Sequence, residues 1–476
     1  MNKKPKTIFA CQECGAQYPK WSGQCPACGQ WNTMSAAEAP SRASKAALRG
    51  QWVPTGRDGD ALQELSAVSL ADAPRIPTAF AELDRVLGGG IVPGSVVLMA
   101  GDPGIGKSTL LLQASAHIAA QGMRVLYASG EESPQQVKLR ADRLDVSGQG
   151  ILFLSETEVD ALLSHLEQVK PALVVVDSVQ TLYSQDTPSA AGSLYQVREC
   201  ARRLMGWAKA SGTPVLLAGH VTKDGSVAGP RALEHMVDVV LSLEGDTLSP
   251  YRLLRGVKNR FGSTNEVGVF QMGSSGLEEV PEPSLLFLSG DRRGVAGSIV
   301  TAAMEGTRPI LAEVQALTTH TVFPQPRRTG TGVDFGRLLL ITAVLSKRLG
   351  YSLADQDVIV NVAGGLRLEE PAADLAMAMA LASSARNAPI DPWTVAIGEV
   401  GLGGEIRAVP QLARRLSEAA RLGFQRAIIP AAQLSDASST GLEAIGAKTL
   451  AEAVRAALPR PAAVRRGQQQ EPDEPF

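Results

Sequence analysis

One stretch near residue 100 restricts the fold of this chain more than any other. Val96 to Ala100 form an apolar run that predicts a buried strand, and the periodic residues from Leu110 to Ala114 predict a helix. Between them lies a G-x-x-x-x-G-K-S string, and this strand–loop–helix setting is that of a Walker A phosphate-binding loop. The chain is therefore predicted to bind ATP and Mg²⁺. The predicted loop consists of Gly101, Asp102, Pro103, Gly104, Ile105, Gly106, Lys107, Ser108 and Thr109.

Each residue type in this loop suits a phosphate ligand. The glycines Gly101, Gly104 and Gly106 let backbone amides approach a phosphate without an intervening Cβ. The helix N-terminus adds the positive end of its dipole. Lys107 is predicted to reach the β- and γ-phosphates, and the Ser108 hydroxyl is predicted to bind Mg²⁺.

Four of the five cysteines form two C-x-x-C pairs near the start of the chain. Such pairs can hold one Zn²⁺ between four thiolates, and Gly15 and Gly29 suit the tight turn of each pair. Disulfides or a redox-active pair are the alternatives. A cytoplasmic location argues against disulfides, and the duplicated pair argues against a redox site. Cys200 is predicted to be a buried apolar residue. The predicted zinc ligands are Cys11, Cys14, Cys25 and Cys28.

Composition narrows the class of protein. The chain has 476 residues, 44% of them hydrophobic, and a net charge of −2. It is long enough for about three domains, and its net charge does not by itself indicate a nucleic-acid partner. It has no apolar run of the roughly 18 residues that a membrane span needs, and its short basic start lacks a signal-peptide core. We therefore expect a cytoplasmic protein without a membrane partner.

The rest of the chain divides by periodicity and composition. Apolar strands alternate with helices from about residue 76 to 272, which predicts a mostly parallel sheet covered by helices, and a second alternating block follows. The predicted fold class is therefore α/β. The predicted domains are a zinc module (1–33), a linker (34–75), a P-loop ATPase domain (76–280), a second α/β domain (285–458) and a disordered tail (459–476).

A second magnesium-binding pattern ends one of the predicted strands. Leu173 to Val176 are apolar, and Asp177 follows them directly. Downstream of a P-loop this is the Walker B pattern. It predicts that Asp177 orients Mg²⁺, usually through water.

The order of these motifs resembles that of one protein family. The string Lys258-Asn259-Arg260-Phe261-Gly262 follows the cysteine module and the P-loop, and Gly130-Glu131-Glu132-Ser133 and Ala218-Gly219-His220-Val221-Thr222-Lys223 fit the same family. Over nearly its whole length the chain resembles the bacterial RadA (Sms) family, RecA/DnaB-type ATPases of recombinational DNA repair. The resemblance implies a RecA-like core in a homo-oligomeric ring, expected to be a hexamer. It also implies single-stranded and branched DNA and the recombinase RecA as partners, with ATP-driven branch migration as the activity.

The resemblance also implies roles for residues beside the P-loop. In RecA-like ATPases a carboxylate after the next strand polarises the attacking water, and Glu131 or Glu132 fits that place, with Glu131 preferred. The alternative is that the two acids cap the helix that begins at Pro134. His220 is expected at the position of a γ-phosphate sensor, or else it is structural.

Lys258 and Arg260 lie two residues apart, so an extended backbone would point both cations to the same side. The resemblance to DnaB-type rings implies that they reach the γ-phosphate held by a neighbouring subunit. Direct contact with DNA phosphates is the alternative. Phe261 and Gly262 are expected to anchor the turn, and Asn259 is grouped with this DNA or intersubunit site.

Two loops beyond the carboxyl edge of the predicted sheet are candidates for DNA contact. They span Ser184–Ser193 and Thr222–Arg231 and are rich in small and polar residues. Lys223 and Arg231 are the expected phosphate contacts. Flexible loops without a function are the alternative.

The last block resembles the proteolytic domain of Lon. The segment from Gly398 to Ile406 carries the resemblance. Lon uses a serine–lysine dyad, and the corresponding positions here are Ala372 and Ala413, whose methyl groups can neither attack a carbonyl nor accept a proton. A dead protease scaffold is therefore expected, which disfavours an ATP-dependent protease. A KaiC-like signalling ATPase is the other alternative, disfavoured by the zinc module and the 258–262 string.

Overall fold

The computed structural model describes residues 7–13, 15–38, 74–220, 233–245, 250–288 and 294–458. The chain divides into two compact units, Met1–Pro281 and Glu282–Phe476. Within the described ranges, no helix has both the length and the apolar character needed to cross a membrane. Several sequence predictions fall outside those ranges, namely the ligand Cys14, the cations Lys223 and Arg231, most of the linker and the tail.

The amino-terminal module is a small antiparallel sheet. Its strands are β1 (Thr7–Cys11), β2 (Gln17–Tyr18) and β3 (Met34–Glu38). Over the described residues their order is β2-β1-β3. The pairing of β1 with β3 runs from Cys11↔Met34 to Thr7↔Glu38 and extends the module past the boundary predicted at residue 33. The residues of β3 are mostly small and show no alternation typical of a strand. The segment is a strand because it pairs with β1.

A large sheet forms the centre of the remaining first unit. Its strands are β4 (Val96–Gly101), β5 (Val125–Ser129), β6 (Ile151–Leu154), β7 (Leu173–Asp177), β8 (Val215–His220), β9 (Val239–Glu244), β10 (Tyr251–Asn259), β11 (Val267–Gly273) and β12 (Gly276–Glu279). Among the described residues it has nine strands in the order β12-β11-β10-β9-β4-β8-β7-β5-β6.

Helices cover both faces of this sheet. They are α1 (Ala81–Leu87), α2 (Lys107–Ala120), α3 (Pro134–Arg143), α4 (Val159–Val169) and α5 (Leu194–Ser211). Successive side chains of β4 point to opposite faces of the sheet, as in any strand, and so pack against different helices. Val97 and Met99 pack in the core with α1, α2 and α3, whereas Val96 and Leu98 pack with α4 and α5.

The predicted parallel arrangement holds for one part of the sheet only. Strands β9, β4, β8, β7, β5 and β6 are parallel, whereas β10, β11 and β12 add to β9 in antiparallel fashion. The β10–β11 and β11–β12 connections are too short for the crossover that parallel strands need. Because the other strands are parallel, Gly101, Asp177 and His220 end at one carboxyl edge.

The second unit is built on a mixed sheet. Its strands are β13 (Ser298–Glu305), β14 (Arg308–His320), β15 (Arg328–Thr331), β16 (Gln356–Val362), β17 (Thr394–Ala396), β18 (Glu399–Val400), β19 (Ile406–Arg407), β20 (Arg426–Pro430) and β21 (Glu443–Ala447). Over the described residues, seven strands follow the order β15-β16-β14-β13-β17-β20-β21, and β18 pairs with β19. Its helices are α6 (Pro283–Leu286), α7 (Phe335–Leu349), α8 (Asp374–Arg386), α9 (Leu412–Arg421) and α10 (Leu450–Ala457).

Candidate functional site

The predicted phosphate loop joins the end of β4 to the start of α2. Gly106 lies directly before the helix with a φ of +117°, in the left-handed region. This backbone conformation favours glycine, and a Cβ here would also displace the end of the Met272 side chain, whose Cε would lie 2.8 Å away. Asp102, Pro103 and Gly104 are exposed and Ile105 is buried. Ser108 and Thr109 are half-buried in the first helical turn.

Lys107 is buried inside this loop, with only 4% of its surface exposed. Its ammonium group donates to the carbonyl oxygens of Gly101 at 2.9 Å and Asp102 at 3.0 Å. Burial lowers the pKa of Lys107, and the nearby carboxylates of Asp177 and Glu131 act against that shift. The Lys107 ammonium group therefore gives the loop a positive charge that can attract a phosphate. The loop carbonyl oxygens by themselves would repel it.

His220 connects Lys107 to Glu131. His220 Nδ1 lies 3.1 Å from Lys107 Nζ, and Nε2 lies 3.4 Å from Glu131 Oε1. An ammonium group only donates, so Nδ1 accepts and Nε2 carries the proton that points to the carboxylate. The Ser178 hydroxyl donates to the same Glu131 oxygen. The hydrogen bond from His220 is the main cause that lowers the pKa of Glu131 to about 2, against the opposing effect of burial.

Asp177 is the second carboxylate at this edge. It is 5% exposed, and Tyr127 donates a 2.7 Å hydrogen bond to its Oδ2 atom. Burial raises the pKa of Tyr127 well above its ordinary value, with the Asp177 charge as the next cause. Tyr127 therefore remains protonated as a donor. Sequence reasoning missed it, because an aromatic residue inside an apolar strand has the pattern of a core residue.

The structure separates the two acidic residues that follow β5. Glu131 lies in the network with His220 and Ser178, whereas Glu132 forms an ion pair with Arg140 of α3. Neither acid caps α3. Ser133 does so, since its hydroxyl accepts from the Gln136 backbone and the Gln136 side chain accepts from the Ser133 backbone. The helix-capping alternative for the acidic pair is therefore wrong.

Lys258 and Arg260 lie together near the amino ends of the parallel strands, away from the phosphate loop. Lys258 Nζ donates to the carbonyl oxygens of Glu234 and Val237, both at 2.8 Å. Arg260 Nη1 lies 2.8 Å from the buried carboxylate of Asp238, which also accepts from the Val96 backbone. A bulge in β10 precedes Lys258. Burial and the Arg260 charge both lower the pKa of Lys258.

The rest of the 258–262 string fixes this turn to α1. The Asn259 amide donates to the carbonyl oxygens of Val86 at 3.2 Å and Leu87 at 3.3 Å, and its own oxygen accepts from the Phe261 backbone at 2.8 Å. A Cβ on Gly262 would lie 3.2 Å from the Asn259 amide nitrogen. Asn259 therefore positions the two flanking cations.

The 184–193 segment is held by buried polar contacts. The Gln196 amide nitrogen donates to the carbonyl oxygens of Ser184, Thr187 and Ser189, and the Gln196 amide oxygen accepts from the Ser184 backbone N–H, all at 2.9–3.1 Å. Asp186 lies 3.4 Å from Arg203 of α5. This predicted DNA loop thus has a defined conformation. The cations Lys223 and Arg231 of the other loop lie outside the described residues.

The cysteine module has the donor set for a metal ion. Among the described residues, the sulfur atoms of Cys11, Cys25 and Cys28 all lie within 4.8 Å of one another. The Cys11 and Cys28 sulfurs are 3.7 Å apart, close to the roughly 3.8 Å edge of a tetrahedron with zinc–sulfur bonds of about 2.3 Å. These thiols therefore fit Zn²⁺, with Cys14 outside the described residues. Cys200 is fully buried, as predicted, and burial raises its pKa to about 12.

In the second unit the two Lon-dyad positions have different surroundings. Ala372 is buried in the core with Leu412, whereas Ala413 on α9 is exposed. The fully buried guanidinium of Arg415 bonds the Glu370 carboxylate at 2.6 Å. An ion pair thus lies beside the two alanines.

The second unit also carries pairs of adjacent basic residues, some of which bond groups within the unit. Arg328 donates to the Gln356 and Leu353 carbonyl oxygens, and Arg327 stacks on Phe323 at 3.5 Å. Arg348 donates to the Leu402 carbonyl oxygen. The remaining members are Lys347 in α7 and the pair Arg292 and Arg293, which lies outside the described residues.

Three family models match parts of the chain. An AAA domain matches residues 62–226, a rubredoxin metal binding domain matches 9–36, and subunit ChlI of Mg-chelatase matches 340–433. The first match covers the phosphate loop and the second covers both cysteine pairs. Together with the fold, they confirm the predicted α/β class with a metal module, an ATPase domain and a ChlI/Lon-like domain.

Relatives align along almost the whole chain. DNA repair protein RadA of Bacillus subtilis is 50% identical over 96% of this chain and 99% of its own length. The RadA proteins of Halalkalibacterium halodurans and Escherichia coli are 51% and 48% identical, over 96% and 95% of this chain and 100% and 99% of theirs. The RadB recombinase structure covers 43% of this chain and 99% of its own, with 22% identity and a TM-score of 0.35. That weak likeness adds nothing to the fold.

Proposed function

The chain belongs to the RadA family of DNA repair proteins, and on that premise we propose that it is a DNA-stimulated ATPase that drives branch migration. ATP binding and hydrolysis follow from the family and from the AAA domain match. The proposal adds two points, the DNA that stimulates hydrolysis and the branch migration that hydrolysis drives. Single-stranded or branched DNA accelerates hydrolysis, and the motor extends the heteroduplex begun by the recombinase RecA in the cytoplasm.

The observation that carries the proposal is the network at the carboxyl edge of the sheet, where Lys107, His220 and Glu131 are linked in series. Bound ATP and Mg²⁺ supply the phosphate bond that is cleaved and the cation that offsets its charge. Lys107, itself buried, adds a fixed positive charge beside the bound phosphates. Glu131, with a pKa of about 2, is ionised at neutral pH and orients a water molecule.

His220 makes this network responsive to bound phosphate. Any ligand that draws Lys107 away from its loop carbonyls also removes the donor to His220 Nδ1. The imidazole is then free to turn, and its Nε2 contact to Glu131 changes with it. We therefore assign His220 the sensor role. It transmits the occupancy of the loop to the carboxylate and to β8, whose continuation leads to the second candidate DNA loop.

Lys258 and Arg260 are proposed to act on the nucleotide of a neighbouring subunit. Lys258 pairs with Val240, which pairs with Leu98 near the start of β4. Leu98 lies three residues, about 10 Å, before Gly101, where the phosphate loop begins. Arg260 lies level with Val96, five residues or about 17 Å before Gly101, because its N–H bonds the Asp238 carbonyl oxygen and the Asp238 N–H bonds the Val96 carbonyl oxygen. Both cations also bond groups that precede β9 rather than groups of the phosphate loop, Lys258 the Glu234 and Val237 carbonyl oxygens and Arg260 the Asp238 carboxylate. They are therefore proposed to serve the phosphate loop of a neighbouring chain, in a ring proposed to be a hexamer.

The two remaining modules are proposed to serve this motor. Zn²⁺ held by Cys11, Cys25, Cys28 and Cys14 stabilises the amino-terminal module, since four thiolates form a closed structural site. The second unit is proposed to be a scaffold without peptidase activity, because neither Ala372 nor Ala413 carries a nucleophile or a base.

The direct test is the ATPase rate of the full chain with no DNA and with single-stranded, duplex or forked DNA, each at several salt concentrations. We expect stimulation by single-stranded and forked DNA that weakens as salt rises, because DNA binding releases counterions. Lys107→Ala should lower all rates by about 100-fold or more at unchanged circular dichroism. A rate indifferent to every DNA would contradict the motor and favour a signalling ATPase.

A further inference from the structure

The first cysteine turn makes direct contact with the ATPase part of its own unit. Gln12, which follows the ligand Cys11, has two partners there. Its side-chain Oε1 accepts a 3.1 Å hydrogen bond from the Ala190 backbone, and its main-chain oxygen accepts a 3.2 Å bond from the Tyr195 backbone. One residue of the metal module thus binds both the 184–193 segment and the start of α5.

The bond to Tyr195 contributes to the amino-terminal cap of α5. The first backbone N–H groups of a helix have no partner within the helix. Ser193 caps one of them, since its hydroxyl accepts from the Gln196 backbone at 3.4 Å. The Gln12 carbonyl oxygen accepts from the Tyr195 N–H, which lies in the first turn and has no acceptor within α5. The metal module therefore supplies part of this cap.

The Tyr195 ring fits against the glycine that ends the cysteine turn. Gly15 has a φ of +73°, and its N–H bonds the Cys11 carbonyl oxygen at 2.9 Å. A Cβ at this position would lie 2.4 Å from the Tyr195 ring, so a larger residue would force the ring to move. Gly29 repeats the same φ and the same bond to Cys25 in the second cysteine turn, and a Cβ there would come no closer than 3.9 Å to its neighbours. The first turn is thus the one shaped to dock.

We propose that Gln12 is a positioning residue through which the metal-loaded module fixes the 184–193 segment and the start of α5. The segment follows β7, which ends in Asp177. A metal bound at Cys11 holds the turn that carries Gln12, so loss of the metal releases both contacts. The functional consequence rests on the proposed function, because it takes the 184–193 segment as a DNA contact. In that case, the response to DNA depends on metal loading, whereas the nucleotide network does not.

The test is hydrogen exchange of the full-length protein without DNA, on zinc-loaded wild type, chelator-treated wild type and Gln12→Ala. We expect amides within residues 184–200 to exchange about fivefold faster in Gln12→Ala, the size expected for one lost hydrogen bond. Chelator-treated wild type should show the same change. Elemental analysis should still find one zinc per Gln12→Ala chain.

Two further variants make this result specific. Gln24→Ala is the matched control, because the Gln24 amide bonds Gly29 inside the module and should leave 184–200 unchanged. Tyr195→Ala removes the ring that covers Gly15 from the opposite side of the contact and should reproduce the faster exchange. Unchanged exchange over 184–200 in Gln12→Ala, Tyr195→Ala and chelator-treated protein would overturn the inference.

The ATPase rate separates this inference from the proposed function. Gln12→Ala should keep the DNA-free rate of wild type and lose most of the stimulation by single-stranded DNA. If wild type itself shows no stimulation, the proposed function fails, and the exchange data still decide whether Gln12 positions the segment. If Gln12→Ala alters exchange but keeps full stimulation, the contact is structural and the coupling to DNA is contradicted.

Discussion

Tyr127 shows how much of the nucleotide site depends on side chains behind it. It is fully buried in β5, and its hydroxyl holds one oxygen of Asp177 at 2.7 Å. A carboxylate with one oxygen fixed in this way has a defined orientation toward the loop. The residue identities at this edge follow from motif patterns, whereas this support comes from a neighbouring strand and has no sequence pattern of its own.

Tyr127→Phe should therefore weaken the use of magnesium without disturbing the core. The ring stays and only the hydrogen bond to a charged group is lost, which is worth about 1.5–3 kcal/mol. We expect the Mg²⁺ concentration for half-maximal ATPase rate to rise by about tenfold, the equivalent of about 1.4 kcal/mol. Tyr183→Phe, outside this network, is the control. An unchanged magnesium curve for Tyr127→Phe would argue that Asp177 is held by other groups.

The low pKa of Glu131 makes a prediction about acid stability. Its value is about 2 against an ordinary 4.5, mainly through the hydrogen bond from His220. The unfolded chain takes up this proton first as the pH falls, so the stabilisation is complete above about pH 4.5 and is lost toward pH 2. His220→Ala should raise the Glu131 pKa and reduce this dependence.

The measurement is the free energy of unfolding from urea titrations at pH 5 and pH 3. The decrease between the two pH values should be smaller for His220→Ala than for wild type. His165→Ala removes an exposed histidine of α4 and should keep the wild-type decrease. Equal decreases in all three proteins would show that His220 does not set the pKa of Glu131.

At the scale of elements, the second unit is held by an ion pair between α9 and the chain before α8. Arg415 is fully buried, and besides Glu370 it bonds the Ala302 carbonyl oxygen of β13 at 2.6 Å. Glu370 in turn accepts from the Met304 backbone at 2.7 Å. Three elements therefore meet at one guanidinium group beside Ala372.

Glu370→Ala should destabilise this unit by about 3–5 kcal/mol, because it leaves Arg415 buried without its counter-charge. The matched control is Glu405→Ala, which breaks an exposed pair with Arg407 and should cost far less, because water screens that pair. Hydrogen exchange of the β13 amides at increasing urea concentrations reports on this unit alone. Similar losses for both variants would mean that the buried pair has no special weight.

The same elements show what the sequence could and could not predict. Leu173–Asp177 has the bounds expected from its apolar run, because such a run is a local signal. The β13–β14 hairpin was missed, as was β3, because pairing with a distant strand defines them. Among site residues, Lys107 and Asp177 follow from motifs. Tyr127 and Gln12 do not, because their roles come from neighbours that only the fold brings close.

At the scale of the whole molecule, we propose that the first unit carries two halves of one site toward opposite ends of β4. The Lys107 network lies where β4 ends, and Lys258 and Arg260 lie near where β4 begins. Within one chain, Lys258 and Arg260 bond groups that precede β9 and not the phosphate loop. Subunits arranged head to tail can bring the two halves together, because such contacts repeat and close into a ring. The central claim is therefore that each nucleotide is hydrolysed between two chains.

The most direct test mixes two inactive variants and measures ATPase activity. Lys107→Ala lacks the phosphate-loop charge, and Lys258→Ala lacks a cation of the other half, so each alone should hydrolyse little ATP while Lys258→Ala still binds it. In a 1:1 mixture about one interface in four pairs two intact halves. We predict that activity appears at that level, once mass spectrometry shows mixed rings. No recovery at any mixing ratio in such rings would contradict a shared site and leave Lys258 as a DNA contact.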